Sequence, residues 1–136
     1  MVIKFNLDLY ILKNYPYEKI ISTTFLFGML LSGSMLSAQK MSQEKMKAIY
    51  SDDIATFKKQ FAPGDYNKCF LVGDILYSPL GFSVMSDRKN IINFLLDSKA
   101  NVNKKCQNKT PLEVADETKG SEEVKRILIA KGGNRI

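Results

Sequence analysis

The chain of 136 residues has no histidine. That absence removes the side chain most often used as a general base and most often used as a metal ligand. Cysteine is scarce too, and two thiols without histidine complete neither a four-ligand zinc site nor a Cys-His nucleophile pair. A glycine-rich phosphate loop is missing, because the doublet Gly132-Gly133 closes an apolar run instead of opening a helix. The 20 Lys and Arg outnumber the 14 Asp and Glu, yet they form no arginine-rich stripe and no basic tract interleaved with aromatics. Lys58-Lys59, Lys104-Lys105 and Lys125-Arg126 are short pairs among acids, which reads as solvated helix surface. Neither a nucleic-acid partner nor a cofactor is expected, and the basic excess suits an acidic protein surface better. Carboxylates gather at Glu113, Asp116 and Glu117, with Glu113 and Glu117 four apart on one helical face. A hydrolase could use such a pair. Acids at this density in a Lys-rich helix are usually a solvated face, so a non-enzymatic protein is expected.

What the chain does contain is a repeat. Ser78-Pro79-Leu80 is followed by the apolar run 91–96, and Thr110-Pro111-Leu112 by the run 124–129. The prolines lie 32 positions apart and the openings of the two runs lie 33 apart, a period typical of stacked helix pairs. A Ser or Thr can accept a hydrogen bond from a free amide of the first turn, and a Pro just inside gives up an amide that had no partner. Helices therefore start at Pro79 and Pro111. Ser121 caps the next helix, with Glu122 and Glu123 at the positive end of its dipole. Val124, Ile127 and Leu128 fall on one stripe, as do Ile91, Ile92, Leu95 and Leu96. Gly132-Gly133 supplies the left-handed stop, and Asn108 stands where a turn needs positive φ. A degenerate first unit runs from Met41 to about Asn67. In it Met46, Ile49 and Tyr50 make one helical face, and Ile54, Phe57 and Phe61 a second.

These residues resemble the ankyrin repeat, whose unit is a β-turn and two helices opening on Thr-Pro-Leu-His-x-Ala. Thr110-Pro111-Leu112-Glu113-Val114-Ala115 departs from that opening only at Glu113, whereas Ser78-Pro79-Leu80-Gly81-Phe82-Ser83 is a weaker match. Leu95-Leu96-Asp97-Ser98-Lys99-Ala100-Asn101-Val102-Asn103 is similar to the family's unit ending, with Lys99 in place of a glycine. The resemblance covers residues 41–136 and implies an all-α stack of about three helix-turn-helix repeats. Three units is close to the minimum for such a stack, with a total stability of about 5–15 kcal/mol. No polar capping repeat follows Asn134, so Lys125, Arg126 and Lys131 serve as the end cap or a partner covers that end.

The spacing is uneven. Asn103 to Pro111 is 8 positions and Asn67 to Pro79 is 12, so the first connection carries about four extra residues within Lys68–Tyr77. Its β-branched and aromatic content could build an enlarged hairpin finger. Phe70 and Tyr77 then either pack between units or stand out as exposed anchors. Cys69 and Cys106 each follow an Asn that ends a unit, on neighbouring fingers. In an oxidising compartment they could join, contributing roughly 2–4 kcal/mol, or they could remain two small buried thiols.

Residues 1–38 set the compartment. Lys4, Lys13 and Lys19 precede an uncharged run of 19 residues from Ile20 to Ala38, and its small-residue end, Ser37-Ala38, reads as a signal-peptidase site. A retained membrane anchor competes, since that length is near a bilayer span, but Ser, Thr and Gly lower the spanning signal. The expected domain is 39–136, exported to the periplasm or secreted. The expected function is non-covalent binding of a protein partner, possible inhibition or neutralisation of it included, with a membrane-anchored scaffold or structural subunit as the alternative. The resemblance implies recognition by finger tips and the exposed side of first helices. Here those positions are Lys68, Phe70, Asp74, Tyr77, Lys105, Gln107, Asn108, Glu113 and Glu117.

Overall fold

The chain divides into two units, Met1–Ser37 and Ala38–Ile136. The computed structural model describes residues 38–135, so the expected signal or anchor lies outside the described residues apart from Ala38.

Among the described residues, six α-helices come in three pairs: α1 (Gln43–Tyr50) with α2 (Ile54–Gln60), α3 (Pro79–Met85) with α4 (Lys89–Asp97), and α5 (Pro111–Glu117) with α6 (Glu122–Ala130). Three or four residues separate the members of a pair, which turns the chain back on itself each time. The first helices stack as a row, α1 on α3 and α3 on α5, while α2 packs on α4 behind them. No helix among the described residues is long and apolar enough to cross a membrane.

Helix starts follow from local chemistry. Ser42, Ser78, Thr110 and Ser121 each accept the amide of the third helical residue, from Lys45, Gly81, Glu113 and Val124 in turn. Helix α4 has no such cap of its own, since Arg88 precedes it. Asp52 of the preceding pair supplies one instead: its Oδ1 accepts the Ile91 amide at 3.1 Å. The matching aspartate of the next pair, Asp87, accepts the Ser121 hydroxyl at 3.0 Å. Both aspartates sit at positive φ, 54° and 56°, a conformation Asp tolerates better than most residues.

The second helices also end alike. The Ala100 amide reaches the Leu95 carbonyl at 2.9 Å, and 33 residues later the Gly133 amide reaches Leu128 at 2.8 Å. The turn residue is Lys99 at φ 66° in the first case and Gly132 at φ 91° in the second, so lysine takes the left-handed turn despite its side chain. Beyond these turns the Asn67 carboxamide accepts the Asn101 amide at 2.8 Å, and Asn103 accepts that of Asn134 at 2.9 Å. Side chains thus carry the repeat from pair to pair.

One apolar cluster fills the space between the rows, including Phe57, Phe61, Phe82, Ile91, Ile92, Leu95, Leu112, Val124 and Leu128. The helical stripes expected at Ile91–Leu96 and Val124–Leu128 face it, with Ile127 only partly covered. Tyr50 remains 46% exposed and meets the cluster through an edge contact with Phe82, ring centres 5.4 Å apart.

The all-α expectation fails at the first connection, and the fold is mixed α/β. Strands β1 (Gln39–Lys40), β2 (Phe70–Val72) and β3 (Ile75–Tyr77) form a three-stranded sheet in the order β1-β2-β3. β1 runs parallel to β2 with Gln39 opposite Phe70, and β3 runs antiparallel with Leu71 opposite Leu76. The cause is the inserted segment. Its β-branched and aromatic residues favour extended backbone, Gly73 at φ 61° makes the two-residue turn, and Phe70 is fully buried beneath it. The hairpin then offers an edge to residues 39–40, which the Met41 amide continues with a 2.9 Å bond to the Leu71 carbonyl.

Candidate interaction surface: the bridged fingers

Two projections separate the helix pairs. The long finger is the β2–β3 hairpin. The short finger is the turn Cys106–Lys109, where the backbones of those two residues exchange both hydrogen bonds at 3.3 Å. Gln107 and Asn108 at its tip have φ of 55° and 63°, the double left-handed turn that suits the twist of paired strands.

The fingers are fastened to each other twice. A disulfide joins Cys69 at the base of the long finger to Cys106 in the short one, with Cα atoms 5.7 Å apart. The Gln107 side chain also accepts the Leu76 amide at 2.8 Å, closing the edge of β3 that faces away from β2. Between the fingers and α5 lies a cleft of about 130 Å³, whose walls include Ile75, Tyr77, Gln107, Lys109, Val114 and Glu117. Ile75 is 44% exposed and Tyr77 half-buried, its ring edge-on to Phe82 at 5.7 Å. Lys109 and Glu117 close one side with a 2.6 Å ion pair, and the hydrogen bond that the Lys109 ammonium donates to that carboxylate holds its pKa above the usual value.

The expected recognition residues do not all gather here. Tyr77, Gln107 and Glu117 line the cleft. Asp74 and Asn108 stand exposed at the two tips, and Lys105 is exposed beside the bridge. Lys68 is exposed near the other end of the bridge and pairs with Asp65 at 3.0 Å. Phe70 requires correction as an exposed anchor: it is fully buried, edge-on to Phe61 at 5.8 Å, because its face of the hairpin points at the helices. Glu113 is half-buried and accepts the Thr110 amide at 2.9 Å in a reciprocal cap.

The acids of α5 are drawn in different directions. Glu117 goes to Lys109, while Asp116 takes a forked contact from Arg135 at 2.5 and 3.0 Å and a longer one from Lys125 at 3.5 Å. The Arg135 hydrogen bond holds the Asp116 carboxyl below its ordinary value. Asp116 and Glu117 are thus each held in ion pairs with basic side chains.

Sequence reasoning passes over Ile75 and Lys109. The period of two along β3 puts Ile75 on the face of Tyr77 and could have found the first. Lys109 is legible only once the turn closes against Cys106. No family model matches the chain, and no curated protein matches it.

Proposed function

We propose that this chain is an exported, ankyrin-type module that holds a protein partner non-covalently through its bridged fingers and the cleft beside α5, without catalysis. The observation that carries this reading is the double fastening of two neighbouring fingers, Cys69 to Cys106 and Gln107 to Leu76. Loops fixed before binding lose less freedom on association, which is where small surfaces gain affinity. Exposed Ile75 and half-buried Tyr77 supply apolar contact at the centre of that edge, and Lys68 and Lys105 supply a basic rim suited to an acidic surface. A disulfide also favours an oxidising compartment, in line with export of a mature chain beginning at Gln39.

The test is affinity capture from the exported fraction with the unaltered protein and with Ile75→Asp and Tyr77→Ala. Ile75 is exposed and Tyr77 packs at the edge of the apolar cluster, and both lie in β3 outside every helix, so far-UV circular dichroism of the two variants checks that helicity survives. A partner held through the fingers should bind these variants about 30-fold more weakly, the usual cost of losing a central contact. Equal capture of the same partner by all three proteins would place recognition elsewhere.

A further inference from the structure

Arg88 is held in place without a counter-charge. Its amide donates to the Ser83 carbonyl and its own carbonyl accepts the Ile92 amide, both at 2.9 Å, so the backbone between α3 and α4 is fixed at this residue. The guanidinium carbon lies 5.8 Å from the centre of the Tyr50 ring, a cation–aromatic contact. Arg88 Nε is buried and meets no acceptor, the one buried side-chain nitrogen or oxygen among the described residues left in that state. The residue as a whole is half-buried, and its two terminal nitrogens, which make no hydrogen bond either, reach the surface. The acids nearest in sequence are engaged elsewhere: Asp52 with the Ile91 amide at 3.1 Å, Asp53 with the Thr56 amide at 2.9 Å and Asp87 with the Ser121 hydroxyl at 3.0 Å. No carboxylate among the described residues pairs with Arg88, whereas Arg135 has Asp116. A guanidinium drawn partly out of water with no anion beside it is costly and calls for an explanation. Its place in the fold supplies one. Edge-on ring contacts, Tyr77 to Phe82 at 5.7 Å and Phe82 to Tyr50 at 5.4 Å, run from the wall of the cleft to this spot, where Tyr50 is 46% exposed.

We propose that Arg88, stacked on Tyr50, is a carboxylate-binding site that receives an Asp or Glu side chain of the protein partner. The terminal nitrogens of the planar guanidinium donate two parallel hydrogen bonds to the two carboxylate oxygens. The Tyr50 ring holds the plane of the fork and offers apolar surface to the carbons that carry the carboxylate. Arg and Tyr are the kind of pair on which binding energy concentrates, and the pairing strengthens as the partner excludes water from it. The partner then has two points of contact, an apolar one at Ile75 and Tyr77 and an acidic one at Arg88. Only the statement that both belong to one partner rests on the binding reading; the carboxylate site is measured without that partner, so the two can fail separately.

The experiment titrates the isotope-labelled protein with hexaglutamate blocked at both ends, with hexaglutamine as the uncharged control, and follows the Arg88 Nε and Tyr50 ring signals by NMR. The expected result is a saturable shift of both signals with hexaglutamate and none with hexaglutamine. Shifts confined to lysine signals, with Arg88 unmoved, would overturn the site in favour of diffuse attraction to a basic surface. Inorganic phosphate moving the same two signals at lower concentration than hexaglutamate would overturn the assignment to a carboxylate. Two variants test the geometry, with far-UV circular dichroism as the check on their fold. Arg88→Lys keeps the charge and loses the fork, so it should bind hexaglutamate about tenfold more weakly. Tyr50→Leu removes the aromatic face and should weaken binding about threefold. Unchanged affinity in Arg88→Lys would overturn the proposal without recourse to the unaltered protein.

Discussion

The two fingers begin from the same unit plan and end as different structures. In each, a residue near the base pairs with the one just before the Ser or Thr cap: Phe70 with Tyr77 in the long finger, Cys106 with Lys109 in the short one. Four extra residues separate the outcomes. The short finger closes through a lone pair of backbone bonds and depends on neighbours for its place. The long finger has room for two strands, buries an aromatic ring beneath them and recruits β1 as a third strand. A small insertion thus changes fold class, because a hairpin needs only a few extended residues and a buried anchor to become a sheet.

Removing that anchor should give the largest effect. Phe70→Ala deletes a fully buried ring that meets Phe61, and it is expected to destabilise the domain by about 3–5 kcal/mol. Urea unfolding checks this. A loss below about 1 kcal/mol would mean that the long finger is an appendage and not part of the core.

The contrast also explains what was legible beforehand. Starts at Pro79 and Pro111 and the stripes in α4 and α6 depend on residues within one or two turns, so their chemistry is written locally. The cap that Asp52 gives to α4 spans 39 residues and exists only because adjacent pairs dock at one height. β1 carries no strand signal in Gln39-Lys40; it pairs because β2 presents an edge. Phe70 looks like an anchor in a loop until the pleat decides which way it faces. The two cysteines could have been bridged or free, and their separation follows only from the seating of the short finger against the long one.

Each finger hands the chain to a cap, and the two caps should differ in strength. Ser78 accepts the Gly81 amide, whereas Thr110 accepts from Glu113, receives the Glu113 carboxylate at its own amide, and donates its hydroxyl to the Asn134 carbonyl at 2.8 Å. Thr110→Ala is therefore expected to cost about 2 kcal/mol and Ser78→Ala about 1 kcal/mol. Thermal melts of both variants decide it, and the reverse order would show that the third pair does not depend on its cap.

The turns into and beyond the short finger give a smaller effect of opposite sign. Lys99 adopts φ 66° where its counterpart 33 residues on is Gly132 at φ 91°. A left-handed L-residue costs about 1–2 kcal/mol, part of which glycine returns through its freer unfolded chain. Lys99→Gly should accordingly stabilise by roughly 0.5–1 kcal/mol, and Gly132→Ala should destabilise by a similar amount. Chemical denaturation of the two variants should move the midpoint in opposite directions.

Acid should separate the two fingers most gently. The long finger is rooted in Phe70, which does not titrate, whereas the third helix pair is tied by Asp116 to Arg135 and by Glu123 to Lys89. The hydrogen bond from Arg135 lowers the Asp116 carboxyl below 3.8, and the hydrogen bond from Lys89 lowers that of Glu123 below 4.5. A depressed carboxyl contributes stability that is fully present above its unfolded value and is lost as pH falls through the folded one. These contributions are small because the pairs are exposed and screened by salt. As pH drops below about 4.5, amide protection in α5 and α6, corrected for the intrinsic exchange rate, should decline before that of β2 and β3. Simultaneous loss in both regions would mean that the short finger is held by the same apolar contacts as the long one, and that the ion pairs around it are ornamental to its stability.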